Sequence, residues 1–240
     1  MVLALSSCAG SPVPLTRGLP STSVEPRAST PAPERPCDRY TLIGEVRGRS
    51  AAALERPGRP QGLIARFPRV NAQGATQVFP LLDETYAAGT TWYRALLPMR
   101  PNGSTGWIAA DDLELRRSDY RLRIDLSRFR LKVFRLCEKV AAYRIGVGTR
   151  DTPTPGGTFF LNSLLRPPER DTVYGAYAYG LSAYSDAIRD WKGGGIVGLH
   201  GTNDPSSVGR RVSHGCIRMR NEDIRALARI LPLGTLVTLR

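Results

Sequence analysis

The sequence predicts a mainly β protein with one clear helix, on the strength of three patterns. From residue 40 onward, short runs alternate apolar and polar residues, which is the period of a half-buried strand. Turn clusters rich in Gly, Pro and Asn, such as residues 101–106, separate these runs. Only residues 222–231 place apolar side chains at helical spacing, with Asn221 as the predicted N-cap and Pro232 just beyond the end.

Length and composition narrow the class further. The chain has 240 residues, 41% hydrophobic and 23% charged, which argues against wholesale disorder and against a polytopic membrane protein. Lys and Arg number 34 against 21 Asp and Glu, a net charge of +13, but the bases are almost all Arg and are dispersed along the chain. Such a surplus indicates genome composition more than a nucleic-acid groove. No helix-turn-helix, zinc or aromatic ribonucleoprotein motif supports a nucleic-acid partner.

The N-terminus carries a targeting pattern. Residues 1–8 end in LSSC, which resembles a bacterial lipobox and makes Cys8 a candidate lipidation site on a truncated signal, if the start codon was assigned late. Residues 9–37 are rich in Pro, Ser and Thr and are predicted to form a disordered tether. This interpretation predicts an exported lipoprotein held at the outer face of the cytoplasmic membrane or in the periplasm, with the membrane as a partner. The alternative is an ordinary disordered N-terminus with an incidental cysteine.

The four cysteines can be divided by role. Their spacing is far from any zinc pattern and the chain has two histidines, so no metal site is expected. One partition uses Cys8 for lipid, Cys37 with Cys137 as a disulfide, and Cys216 as a free reactive thiol. Export would permit the disulfide. Two unpaired thiols are the open alternative.

Residues 38–116 are predicted to form a small β module. Strand patterns occur at 40–46, 62–67 and 90–97, with Trp92 on the buried face of the third. The ending GWI at 106–108 followed by DDLEL at 111–115 resembles bacterial SH3-like modules, which close a small barrel there. The resemblance implies a role in positioning peptide or glycan; any small all-β accessory domain is the alternative.

Longer strands begin at residue 118 and define a second domain, 118–240. Leu122, Ile124 and Leu126 share one face of the first strand, and residues 130–136 and 140–147 read as the next two strands. Chemistry concentrates further along this domain. Both histidines fall within fifteen residues, in HGTN at 200–203 and SHGCIRM at 213–219.

These two motifs resemble the YkuD-type L,D-transpeptidase catalytic domain. The strings TPTPGGTF at 152–159 and GAYAYGLS at 175–182 resemble it too, and the resemblance covers about half the chain, from Asp119 to Arg240. It implies a β-sandwich or barrel with one or two helices. With the first module, the expected architecture is a small SH3-like β-barrel followed by a YkuD-like catalytic domain.

The same residues make chemical sense on their own. A thiol becomes a good nucleophile when a base removes its proton, and histidine is the usual base. The order His then Cys argues against papain-like and NlpC-type peptidases, which run Cys then His. The resemblance implies that Cys216 is the nucleophile, that His200 is its base, and that the backbone carbonyl of Gly201 orients His200. Backbone N–H groups of His214, Gly215 and Cys216 are candidates for an oxyanion hole.

Further residues are assigned to substrate binding. Arg218 can offer a bidentate fork to a carboxylate. Thr202, Asn203 and Ser213 are expected in the walls of the site, as loop-setting or substrate-binding residues. Tyr177 and Tyr179 are candidates for lining a substrate channel.

The sequence therefore predicts a cysteine-dependent acyltransferase of peptidoglycan biosynthesis that needs no cofactor. Cys216 would take a tetrapeptide stem as thioester and pass it to an amine of a second stem, giving a 3→3 crosslink that maintains cell wall and cell shape. Transfer to water would make an L,D-carboxypeptidase, and transfer to a protein a protein-to-wall transferase. A wall-attached scaffold with a degenerate catalytic half is the non-enzymatic alternative, against which the intact His200 and Cys216 argue.

Overall fold

The computed structural model describes residues 40–169, 171–188 and 194–240. The prediction of a mainly β protein is confirmed, and this part of the chain has one α-helix, α1 (Asn221–Ile230). No helix in the described ranges is both long enough and apolar enough to cross a membrane. The predicted lipidation site Cys8, the tether and Cys37 lie outside the described residues.

Seven strands form a first, entirely antiparallel sheet, here called the N-terminal sheet. They are β1 (Thr41–Val46), β2 (Ser50–Leu54), β3 (Leu63–Pro68), β4 (Val78–Ala87), β5 (Thr90–Leu96), β6 (Thr105–Ala109) and β7 (Leu113–Ser118). Their order is β3-β2-β6-β5-β4-β1-β7. The core of this sheet includes Val46, Phe67, Phe79, Ile108 and Leu113. Its SH3-like identity stays a prediction.

The phase of strand β5 differs from the prediction. Tyr93 and Ala95 are buried, whereas Trp92 is half-buried and its indole Nε1 donates to the Ala87 carbonyl at 3.0 Å. Alternation alone fixes the period of a strand but not which face is inside. The placement of Trp92 on the buried face was therefore wrong by one residue.

The remaining strands form a larger, mixed sheet, here called the C-terminal sheet. Its strands are β8 (Tyr120–Asp125), β9 (Arg130–Arg135), β10 (Glu138–Arg144), β12 (Gly157–Leu165), β13 (Ala178–Tyr184), β14 (Ile196–His200), β16 (Ile217–Arg218) and β17 (Leu236–Leu239), while β11 (Val147–Gly148) and β15 (Arg211–Ser213) pair separately. The order is β10-β9-β8-β17-β12-β13-β14-β16. Two of its pairs, β17 with β8 and β14 with β16, are parallel.

Helix α1 packs its apolar side on this sheet. Ile224 and Leu227 are buried, and the Tyr179 hydroxyl donates to the carbonyls of Leu227 and Leu231 at 3.3 and 3.1 Å. Tyr179 is fully buried in the core, so the prediction that it lines a substrate channel was wrong. Its ring fills the space under the helix and its hydroxyl satisfies carbonyls at the helix end.

The predicted start of α1 also needs correction. Arg220 occupies the N-cap position without a side-chain cap, and Asn221 is the first helical residue. The Asn221 side chain is instead bonded to two neighbouring loops, which are described with the site below.

The two sheets share a small joint core and a set of polar contacts. Ile43, Val78 and Leu96 of the N-terminal sheet pack with Phe160 of the C-terminal sheet. Beside them, Asn71 Nδ2 donates to the backbone carbonyl of Asn162 at 3.0 Å, and both residues are buried. The N-terminal sheet is therefore packed against the domain that carries the chemistry.

A turn after β5 extends this contact. The Arg100 guanidinium donates to the carbonyls of Ser185 and Gly194, both at 3.1 Å, and lies over the Tyr184 ring. Asn102 exchanges two hydrogen bonds with the backbone of Tyr184, at 2.8 and 2.9 Å. Arg100 thus joins the two ends of the segment that connects β13 to β14.

Candidate active site

His200 and Cys216 are brought together by the parallel pairing of β14 and β16. In that register Leu199 lies opposite Ile217, and His200 opposite Arg218. Gly198 lies between the two functional groups, because a methyl group on it would be 3.2 Å from His200 Cδ2 and 3.6 Å from Cys216 Sγ. Its N–H donates to Sγ at 3.3 Å. A glycine here leaves room for both side chains.

The imidazole of His200 is buried and held in one tautomer. Its Nδ1 lies 2.5 Å from the Gly201 carbonyl, and because a carbonyl can only accept, Nδ1 carries the hydrogen. Nε2 is then the basic nitrogen. Burial lowers the pKa of His200 to about 4, with a smaller lowering from the nearby Arg218 charge, while the Gly201 bond opposes the shift.

The thiol of Cys216 is half-buried and free. Burial raises its pKa above the usual value, and the Gly198 N–H and the Arg218 charge act in the opposite direction. With a low pKa on the imidazole and a high one on the thiol, both groups are neutral near pH 7. The pair is arranged for proton transfer during attack rather than as a preformed thiolate–imidazolium pair.

The loop before Cys216 is closed by Ser213. Its hydroxyl donates to the Cys216 carbonyl at 2.5 Å and accepts from the Gly215 N–H at 3.2 Å. Of the three predicted oxyanion donors, Gly215 is therefore already engaged by Ser213. The Cys216 N–H has no backbone or side-chain partner among the described residues, and His214 is exposed beside it.

Two threonines that sequence reasoning gave no role hold this loop from the other side. Thr154 Oγ1 donates to the Gly215 carbonyl at 2.9 Å and accepts from the Gly148 N–H at 2.9 Å. Thr152 Oγ1 donates to the Ser213 carbonyl at 3.1 Å. The Pro- and Gly-rich string at 152–159 was visible in the sequence, but nothing local indicated which loop its hydroxyls would meet.

Asn221 holds the loop that follows His200. Its Oδ1 accepts from the N–H groups of Ala176 and Thr202 at 2.9 and 3.3 Å, and its Nδ2 donates to the Thr202 carbonyl at 3.0 Å. Because Gly201 lies between His200 and Thr202, these bonds help to place the carbonyl that orients the imidazole. Sequence reasoning read Asn221 only as a helix cap.

Several predicted substrate-binding residues are structural. Thr202 and Ser213 are 2% and 1% exposed and hold loops, so of their two predicted roles the structure agrees with loop setting and not with substrate contact. Asn203 is exposed, and Tyr177 is half-buried with its carbonyl accepting from the Gly201 N–H at 3.0 Å. The tyrosine that meets the site is Tyr174, whose ring lies edge-on to the His200 ring at 5.2 Å.

Arg218 follows the nucleophile on β16. Its backbone pairs with Gly146, and its Nε is buried without a hydrogen-bond partner. Within the described ranges its guanidinium forms no ion pair. The Arg218 charge lowers the pKa of Asp204 as well as those of His200 and Cys216, but no carboxylate among the described residues is close enough to form an ion pair with it, so a ligand carboxylate can be bound there.

The profile of the YkuD family, described as the L,D-transpeptidase catalytic domain, matches residues 119–239, half of the chain. The chain belongs to this family. It is 34% identical to the YkuD protein of Bacillus licheniformis over 165 residues, covering 66% of this chain and 92% of the relative. It is 42% identical to Bacillus subtilis YkuD over 97 residues, covering 40% of this chain and 51% of the relative. Among solved structures, Bd1075 of Bdellovibrio bacteriovorus is 29% identical with a TM-score of 0.43, covering 51% of this chain and 48% of that one.

Membership of the L,D-transpeptidase family implies a peptidoglycan substrate. In the part of the chain that the structure describes, no three His, Cys, Asp or Glu side chains converge as a metal site would require. Cys137 is disulfide-bonded, and its predicted partner Cys37 lies outside the described residues.

Proposed function

We propose that this L,D-transpeptidase family member forms 3→3 crosslinks in peptidoglycan through a thioester on Cys216. The observation that carries the proposal is the arrangement on either side of Gly198, where a buried imidazole with Nδ1 committed to Gly201 shares a site with a free thiol. Nucleophile, base and orienting group are the three parts of cysteine-dependent acyl transfer.

Because Cys216 and His200 are both neutral before the reaction, the thiol loses its proton during its attack on the substrate. Sγ of Cys216 attacks the carbonyl between the L-centred diamino acid and the D-alanine of a tetrapeptide stem, while its proton passes to Nε2 of His200. The developing oxyanion is stabilised by the Cys216 N–H and the neighbouring backbone. The C–N bond then breaks, D-alanine leaves with the proton from His200, and the stem remains on sulfur as a thioester.

The second half of the reaction reverses these roles. The side-chain amine of a second stem attacks the thioester carbonyl and gives its proton to His200. The C–S bond breaks, the sulfur regains a proton, and an amide joins the two diamino acids. Arg218 binds a carboxylate of the stem, an assignment supported by its unpaired guanidinium beside the nucleophile.

We further propose that the N-terminal sheet, Cys8 and Cys137 place this activity at the cell wall. The N-terminal sheet is an SH3-like module that positions wall peptide or glycan near the site. The enzyme acts outside the cytoplasm, held by lipid on Cys8. A disulfide at Cys137 supports an oxidising location.

Mass spectrometry of the intact protein tests the proposal. Wild type incubated with a carbapenem, or with a tetrapeptide donor, should gain a covalent adduct, and Cys216→Ala should gain none. With tetrapeptide, the released products should be D-alanine and a crosslinked dimer. An adduct that persists in Cys216→Ala would refute the assignment of the nucleophile, and tripeptide alone as the product would identify a carboxypeptidase instead.

A further inference from the structure

A cleft lined by arginines lies beside helix α1, away from Cys216. Its volume is about 380 Å³, and its walls include Arg166, Glu169, Tyr177, Arg225, Ala228 and Arg229. Arg225 and Arg229 are one helical turn apart on the exposed side of α1, and Arg166 follows the end of strand β12. This cleft is called the arginine cleft below.

Charge in the arginine cleft is uncompensated. Three exposed guanidiniums face one carboxylate, that of Glu169, and none of the three arginines forms an ion pair with any described residue. By contrast Arg220, the N-cap of this helix, does have a partner, Glu222, at 3.8 Å. Arg225 and Arg229 are four residues apart on the helix, so their like charges repel each other.

The arginine cleft shares a wall with the loop that orients the catalytic base. Ala176, which lines the cleft, donates its N–H to Asn221, and Asn221 in turn holds Thr202. Tyr177, also in the wall, accepts the Gly201 N–H at 3.0 Å. A ligand in the cleft would therefore touch the backbone that places Gly201 without entering the space around Cys216.

We propose that the arginine cleft is a second binding site, for an anion carrying carboxylate or phosphate groups. Guanidinium groups bind both kinds of oxyanion through paired hydrogen bonds, and a concave surface with an excess of positive charge concentrates anions. The volume lies in the range of small-ligand sites. A bacterial wall offers two sources of this chemistry: the carboxylates of a stem peptide, and a phosphodiester polymer. The site does not depend on the chemistry of Cys216.

The test measures binding by two-dimensional NMR of the full chain in the Cys216→Ala background, so that no adduct forms. The probes are the tetrapeptide stem and a short glycerol phosphate oligomer, added separately at low and at physiological salt. A ligand in the cleft should shift the backbone amide signals of Tyr177 and Ala228. The more tightly bound probe identifies the source of the anion.

A matched pair of charge variants separates the site from the general charge of the protein. Arg225→Gln with Arg229→Gln should weaken binding of the probe about tenfold, the loss expected for two solvent-exposed ion pairs. Arg56→Gln with Arg59→Gln removes two exposed charges from the connection between β2 and β3 and should change affinity by less than about twofold, since distant charges are screened. The inference is overturned if neither probe shifts these amides, or if both double variants weaken binding equally.

Discussion

The two sheets of this protein differ in what they do with buried polar side chains. In the N-terminal sheet region, Asn71 and Gln77 are buried and both bond to Asn162 of the other domain. In the C-terminal domain, buried polar groups such as His200 and Thr154 surround the nucleophile. Buried polar groups cost stability unless they are bonded, so their placement shows what each region must hold fixed. The first region fixes an interface and the second fixes an active site.

Strand pairing differs in the same way. All pairs of the N-terminal sheet are antiparallel, and half of them join neighbours along the chain. In the C-terminal sheet, β14 and β16 are parallel and are separated by the loop that leads to Cys216. A parallel pair needs a long connection. Here that connection contains the site's own loops, so the fold places a base and a nucleophile side by side at the ends of adjacent strands.

The largest effect should come from the base. His200→Gln removes the proton acceptor but keeps a polar side chain, and general base catalysis contributes about 10²–10⁴-fold, so acylation by a carbapenem should slow by that factor. Stopped-flow mass spectrometry gives the rate. Thermal unfolding is the control, because a variant that has lost its fold would also lose activity. An acylation rate within a few-fold of wild type would contradict the role of His200 as the base. The conclusion that the C-terminal domain uses its buried polar groups to hold an active site would then fail.

The pH dependence should show that the base is buried. Because the pKa of His200 is lowered to about 4 and that of Cys216 is raised, the acylation rate constant at low donor concentration should stay level from about pH 5 to 8. Below about pH 4 it should fall about tenfold per unit as the imidazole is protonated. An inflection near pH 6.5, the ordinary histidine value, would contradict the neutral-pair mechanism.

The same shift predicts a pH effect on stability that needs no substrate. Unfolded His200 takes up a proton near pH 6.5 and folded His200 only near 4, so the unfolded state binds more protons in between. The free energy of unfolding should therefore decrease as pH falls from 6.5 to 4, by an amount on the order of 3 kcal/mol. Urea unfolding of wild type and His200→Gln measures it, since the variant lacks this contribution.

The sequence predicted much of the fold because most of its signals are local. Strand alternation, turn clusters and the amphipathic helix each depend on neighbouring residues, and those elements lie where they were expected. The site motifs HGTN and SHGCIRM also indicated which side chains would meet. The phase of Trp92 was missed because alternation is symmetric between the two faces of a strand.

Contacts between distant segments could not be predicted. Asn221 was read as a helix cap because caps favour Asn, but its amide bonds to residues 176 and 202, a choice that only the folded chain reveals. Tyr179 was a candidate for lining a channel, one of several nearby tyrosines between which the sequence does not choose, yet its hydroxyl is satisfied inside the core by the end of α1. In both cases a polar side chain had two plausible partners, and packing selected the distant one.

Substitution of Asn221 should have an effect of intermediate size on the acylation rate. Asn221→Ala removes three hydrogen bonds from the loop that orients His200 and should slow acylation about 10–100-fold, with a loss of about 2 kcal/mol in unfolding free energy. Asn221→Asp keeps the acceptor for the Ala176 and Thr202 N–H groups and should recover part of the rate. If the alanine variant loses stability but acylates at the wild-type rate, Asn221 supports the fold and not the site.

The smallest expected effect tests whether contacts from the N-terminal sheet region influence the active site. Arg100→Ala removes the bonds to Ser185 and Gly194 at the two ends of the segment between β13 and β14. Ser185 lies close to Gly215, since a methyl group on that glycine would be 3.9 Å from its hydroxyl. We therefore expect acylation to slow about three- to tenfold, less than the full loss of a charged hydrogen bond, because these bonds act on the site only through Ser185.

Separate measurement of the apparent donor affinity and the maximal acylation rate locates that effect. Misplacement of the segment beside Gly215 should lower the maximal rate, whereas a lost binding surface should weaken affinity alone. Arg100→Lys retains the charge but cannot reach both carbonyls, so it should behave like the alanine variant. Arg56→Ala changes an exposed residue between β2 and β3 and should match wild type. Equal acylation rates for Arg100→Ala and Arg56→Ala would show that the N-terminal sheet contributes only to the interface at Asn162. Buried polar groups would then serve domain packing in one region and catalysis in the other, with no contribution from the first region to the active site.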